Sequence, residues 1–160
     1  MIPSNSQRQE WIEKIRRLPT DLEEVVCHLT PEQLHTPFLA GEWTVAQNVH
    51  HLVDSHINSF VRLKLILTED QPPLKGYDQD MWAEMADERN TPIEPSLMIL
   101  RGLHHRWVML FESLLMDDWQ RFGLHSESGP MTVDQLLSYY AAHGEGHIDQ
   151  IKRTLAAATH

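Results

Sequence analysis

The chain has 160 residues, a length that fits one domain of roughly 100–200 residues built around one core. Its formal net charge of −10 argues against a nucleic-acid partner, because that affinity comes from clustered Lys and Arg. Cys27 is the only cysteine, which rules out an intramolecular disulfide and a Cys-rich zinc module. With no apolar signal region and no run near the roughly 18 apolar residues of a membrane span, the expectation is a soluble, cytoplasmic, single-domain protein over residues 1–160.

Apolar residues recur at helical spacing in four segments, and no sustained period-two alternation points to a sheet, so the fold class is all-α. The first segment, from about Gln7 to Leu29, places Trp11, Ile12, Ile15, Leu18, Leu22, Val25 and Val26 on one side. Pro19 falls inside it and predicts a kink or a break. Cys27, on the same apolar face, reads as core. Thr30-Pro31 reads as a cap with proline at the first helical position, opening a short turn before the loop Thr36 to Glu42.

Thr44 with Gln47 makes a capping box for a second long helix reaching about Leu67, roughly 36 Å in length. Thr68 to Pro95 is broken by prolines, with room for one short helix from Asp78 to Met85 carrying Trp82. A connection this long in a bundle crosses over or covers something. The third helix is predicted from about Ser96 to Leu115. After a loop from Gly123 to Pro130, Thr132 and Gln135 cap a fourth helix that runs to about Ala158. The architecture is thus a four-helix bundle with a long crossover between its second and third helices.

Eleven histidines stand out in a chain with only thirteen Lys and Arg. His143 and His147, four apart on one helix face, can reach a single ion, although so many histidines make such a pair expected by chance. Gly144 and Gly146 strengthen the case for close approach of a ligand, or of a neighbouring helix, since glycine weakens a helix interior. Glu145 lies about 200° around the helix from His143, so it is a poor general base. In the second helix His56 sits near the centre of the apolar stripe. His51 sits on a polar stripe with Asn48, Ser55, Asn58 and Arg62, so periodicity leaves His50, His51 and His56 all in play. His104 borders the apolar stripe of the third helix, whereas His105 points to solvent. His28, His35, His125 and His160 have no constellation around them and read as structural or surface residues.

The segment GEWTVAQNVHHLVDSH from Gly41 to His56, with AAHGEGH from Ala141 to His147, resembles the DinB superfamily, in particular its YfiT-like branch. Similarity extends through Asn58 to Lys64, Tyr77-Asp78, Trp82, His104 and Arg106-Trp107. This resemblance implies one divalent metal ion per chain, held by His51 of the His-Leu pair and by His143 and His147. It therefore implies that the polar stripe around His51 faces a cleft. It also implies a metal-dependent hydrolase of a small ester or amide, or an S-transferase that joins a small thiol such as bacillithiol to an electrophile, working as a homodimer. Gly144, Glu145 and Gly146 depart from the histidine-rich fourth helix of related chains.

Three neutral imidazoles leave a coordination position open, the arrangement of a catalytic site. A metal there can acidify a bound water or hold a thiol as thiolate. Thiol transfer is the favoured expectation, with hydrolysis close behind. Imidazole ligands suit zinc, nickel, copper or iron, and zinc or nickel is the expectation. Asn48, Asp54, Asn58, Arg62 and His104 are the candidates for orienting ligands or binding substrate. A non-catalytic stress-response module stabilised by metal is the reading from another class.

Overall fold

The computed structural model describes residues 2–158, so the expectation for His160 lies outside the described residues. Four long helices build the bundle: α1 (Asn5–Val26), α3 (Val45–Thr68), α6 (Ile93–Glu112) and α7 (Val133–Ala157). Short helices α2 (Pro31–His35), α4 (Gln79–Ala83) and α5 (Ala86–Asn90) lie in the connections. The capping boxes act as the sequence suggests: Thr44 and Gln47 open α3, and Thr132 and Gln135 open α7, each side chain satisfying the other residue's backbone N–H. The main packing contacts join α1 with α7, α3 with α6, α1 with α6 and α3 with α7, so α1 and α3 sit on a diagonal.

Helix directions follow from cross-helix pairs. His50 meets Ser96 and His56 meets His104, so α3 and α6 run the same way. Arg8 pairs with Asp134 and Lys14 with Glu145, so α1 and α7 are also parallel. Parallel neighbours cannot be joined by a tight turn, and the chain from Glu69 to Pro92 must travel the length of the bundle. This is the long crossover.

Four expectations need correction. Pro19 does not break α1, which is continuous from Asn5 to Val26. The carbonyl of Ile15, left without its usual N–H donor, is taken instead by His104 Nδ1 of α6. Cys27 is exposed, because the helix ends at Val26 and Cys27 leaves the apolar stripe as C-cap. The protein also contains a small sheet: β1 (Pro73–Leu74) pairs parallel with β2 (Phe122–His125), which pairs antiparallel with β3 (Gly129–Thr132). Strands of two to four residues containing Gly and Pro give no period-two signal. The predicted loop Gly123 to Pro130 is therefore largely a hairpin, turned at Gly129 with φ of 72°. The third long helix also starts at Ile93 and stops at Glu112, earlier at both ends than the periodicity indicates.

Two apolar clusters fill the bundle. One gathers Ile12, Ile15, Leu63, Trp107, Phe111, Leu136 and Leu137; the other gathers Leu18, Leu22, Val49, Leu52, Leu100 and Ile151. Buried polar side chains interrupt them: Asn48, His51, His56, Ser59, Arg62 and His104 are each less than a tenth exposed. Buried imidazoles need partners, and tracing those partners defines the site.

Candidate metal centre

His51 of α3 and His143 and His147 of α7 come together where those antiparallel helices face each other, with one nitrogen from each within 4.8 Å of the others. His51 Nε2 lies 3.4 Å from His143 Nε2, which lies 3.2 Å from His147 Nε2. Tetrahedral coordination at about 2.05 Å places donor nitrogens about 3.3 Å apart. The spacing fits a single ion.

The hydrogen bonds assign the tautomers. Asn48 Nδ2 donates to the Thr44 carbonyl at 2.9 Å, which turns Asn48 Oδ1 toward His147 Nδ1 at 2.8 Å. His147 therefore donates from Nδ1 and keeps Nε2 bare. A longer chain orders His143. His104 Nδ1 donates to the Ile15 carbonyl, so a neutral His104 has a bare Nε2, and this accepts from His56 Nδ1 at 2.8 Å. His56 is then left with a bare Nε2, which accepts from His143 Nδ1 at 3.2 Å. His143 must present its own Nε2 lone pair to the cluster. Two bare nitrogens facing each other at 3.2 Å make no hydrogen bond, and a cation between them satisfies both.

Electrostatics keep these rings neutral. Burial, followed by repulsion from neighbouring imidazoles, pushes His51 and His143 down to about 3. Burial takes His147 down to about 4, and His104 to about 4 against the opposing effect of its bond to Ile15. His56, fully enclosed and surrounded by four other imidazoles, is lowered well below its ordinary value. Neutral imidazole is the ligating form.

Aromatic rings frame the cluster. Trp43 packs its ring 4.7 Å from His51 and stacks 6.2 Å from His147, while Tyr139 stacks 5.7 Å from His143. A cavity of about 380 Å³ opens beside His143, with Ser55, Arg62, Tyr77, His125 and Tyr140 in its wall.

The other sequence candidates separate by position. Asn48 orients His147, and His104 anchors the relay through His56. Arg62 lines the cavity. Asp54 instead turns to Glu88 of α5: burial and the Asp87 carboxylate raise Asp54 against the opposing hydrogen bond from Glu88, while burial and the carboxylates of Asp54 and Asp87 raise Glu88 to about 8. Asn58 donates to the Asp54 carbonyl on its own helix. His50 bonds Ser96 and the Thr91 carbonyl, tying α3 to the start of α6. His125, read as having no constellation, stands in the cavity wall. Trp43 and Tyr77 entered the sequence reading only as parts of the segments that carry the resemblance, with no role at the site, and Tyr139 was not singled out at all. Trp43 left a further signal, as a large aromatic residue next to the Thr44 cap. Gly144 owes its place to packing, since a Cβ there would lie 2.5 Å from a Leu18 methyl. At Gly146 a Cβ would meet nothing within 4 Å. Glu145 points outward and bonds Lys14 at 3.0 Å.

A four-helix bundle with convergent, tautomerically ordered histidines beside a cavity defines a class of helical proteins able to hold a divalent ion at an open centre. The family model of the DinB superfamily matches residues 6–151, and the chain belongs to that superfamily. A Geobacillus thermodenitrificans protein bearing the name "Putative metal-dependent hydrolase" is 47% identical over 144 residues, covering 89% of this chain and 81% of its own. A similarly named protein from Oceanobacillus iheyensis is 44% identical over 142 residues, with coverage of 89% and 82%. YfiT from Bacillus subtilis, described as "a probable metal-dependent hydrolase with an unusual four-helix bundle topology", superposes with a TM-score of 0.92 at 36% identity, over 96% of this chain and 88% of that one.

Proposed function

We propose that this protein is a metal-dependent enzyme in which His51, His143 and His147 hold one divalent ion and leave a position open toward the cavity beside His143. The observation that carries this reading is the convergence of Nε2 atoms, two of which the bonds at Nδ1 leave free to ligate. An ion held there acidifies a small nucleophile, water or thiol, and polarises an electrophile. Asn48 and the His56–His104 relay hold the ligating rings in register, and Trp43 and Tyr139 cover them. An all-imidazole donor set suits zinc or nickel.

Hydrolysis of a small ester or amide is the reaction supported by the names of the relatives. Transfer of a low-molecular-weight thiol is favoured by a different observation. Glu145, the carboxylate between the two α7 histidines, is turned outward and paired with Lys14. Water attack gains most from a general base beside the centre, whereas a thiol is deprotonated on coordination and needs none.

Elemental analysis of untagged protein, with His51→Ala and His143→Ala alongside, tests the centre. One ion per chain in the native protein and a loss of most of it in both variants is expected; unchanged content in both would refute the assignment. Cleavage of a chromogenic ester and conjugation of bacillithiol to a generic electrophile then separate the two reactions. A fully loaded protein inert in both would favour a metal-stabilised, non-catalytic module.

A further inference from the structure

Arg62 is a guanidinium buried to 8% exposure in the wall of the cavity beside His143, and it makes no ion pair with a carboxylate among the described residues. Its recorded hydrogen bonds are to the Lys75 carbonyl and, at 3.4 Å, to the Tyr140 hydroxyl. Both partners are neutral, and a guanidinium has five N–H donors. A permanent charge held away from water without a counter-ion is costly unless an anion joins it. The other buried arginine shows the contrast: Arg8 meets both oxygens of Asp134, at 2.7 and 2.8 Å. Glu127 also lines the cavity, but it is exposed at the rim, where its carboxylate lies against Gly76. His125 is lowered by burial and by Arg62 itself, which leaves the guanidinium as the main charge on the inner wall.

We infer that Arg62 is a recognition site for the carboxylate of an organic-acid substrate. Arg62 follows His51 by eleven residues, three turns of one helix, so both side chains share a face and are separated by a rise of about 16 Å. Helical side chains lean toward the N-terminus, which brings the guanidinium back toward the histidines. The rings of Tyr77, Tyr139 and Tyr140 line the same cavity as Arg62 and His143. Resting on the metal-centre reading above, the substrate is bifunctional: a carboxylate at Arg62 and the reacting group toward His143. A cavity of about 380 Å³ suits a molecule of that size.

The test uses the full chain stripped of metal with a chelator, so that anion binding is read apart from any ion at the histidines. Benzoate, benzamide and inorganic phosphate are titrated while the resonances of Tyr77, His125 and Tyr139 are followed by NMR. Benzoate is expected to bind at least about tenfold more tightly than benzamide, and Arg62→Gln to lose about tenfold or more for benzoate alone. Equal binding of acid and amide, no binding of benzoate, or an unaltered Arg62→Gln would overturn the inference. Tighter binding of phosphate than of benzoate would overturn the carboxylate assignment. Should the variant not fold, the comparison of acid with amide on the native chain decides. Because no metal takes part, failure here leaves the histidine centre standing, and a missing metal leaves this result readable.

Discussion

The centre depends on residues that cannot themselves reach an ion. His143 presents Nε2 because His56 accepts from its Nδ1, and His56 does so because His104 is committed to the Ile15 carbonyl. Replacing His104 by alanine removes the anchor and leaves His56 free to adopt either tautomer, while all three ligating positions remain. Metal affinity is expected to fall about 10–100-fold, as for other partners of metal-bound histidines. Competition with a chromophoric chelator measures it; affinity equal to that of the native protein would show the relay to be structural only. Spacing alone made His143 and His147 candidates. It left His50, His51 and His56 equivalent, because three histidines within seven residues of one helix point to different neighbours, and a sequence does not record which neighbour each one meets.

At the scale of the helix, Pro19 and Gly144 serve the interface between α1 and its partners. Pro19 releases the Ile15 carbonyl across to α6, and Gly144 lets Leu18 of α1 close on α7. Gly144→Ala would drive a methyl into that buried leucine and is expected to destabilise by about 1–3 kcal/mol. Gly146→Ala has open space and should stabilise by about 0.5–1 kcal/mol through helix propensity. Thermal unfolding of the two variants distinguishes these outcomes, and similar shifts for both would show that packing does not govern Gly144. From sequence the two glycines were a single signal of close approach. Helix rotation separates them, since residues two apart on a helix lie about 200° from each other.

Across the whole molecule, the two apolar clusters pack without help from the histidine centre, so removing the metal should leave the helical fold intact while lowering its melting temperature. In the metal-free chain the folded pKa values of His51, His104, His143 and His147 lie at about 3 to 4, below the ordinary value of 6.5. The unfolded chain therefore binds more protons between those limits. The contribution of these four histidines is full above pH 6.5 and declines as pH falls toward 4, outweighing the opposite and single contribution of Glu88, whose raised carboxyl gains stability as pH falls from about 8. Melting curves of the metal-free protein, read by circular dichroism from pH 7.5 to 4.5, should show this decline; a flat profile would mean the rings are not held neutral.

The four long helices, their capping boxes and the need for a crossover follow from periodicity and local chemistry, because these depend on residues three and four apart in the chain. The sequence by itself also singled out the histidine pair on α7. Tertiary structure decided what lies far apart in sequence: that the polar stripe of α3 turns inward, that His56 stands behind His143, that short segments of Pro and Gly make a sheet, and that Arg62 and His125 share a cavity wall. A buried charge or imidazole is tolerable only when distant groups meet it, and local pattern carries no record of that meeting.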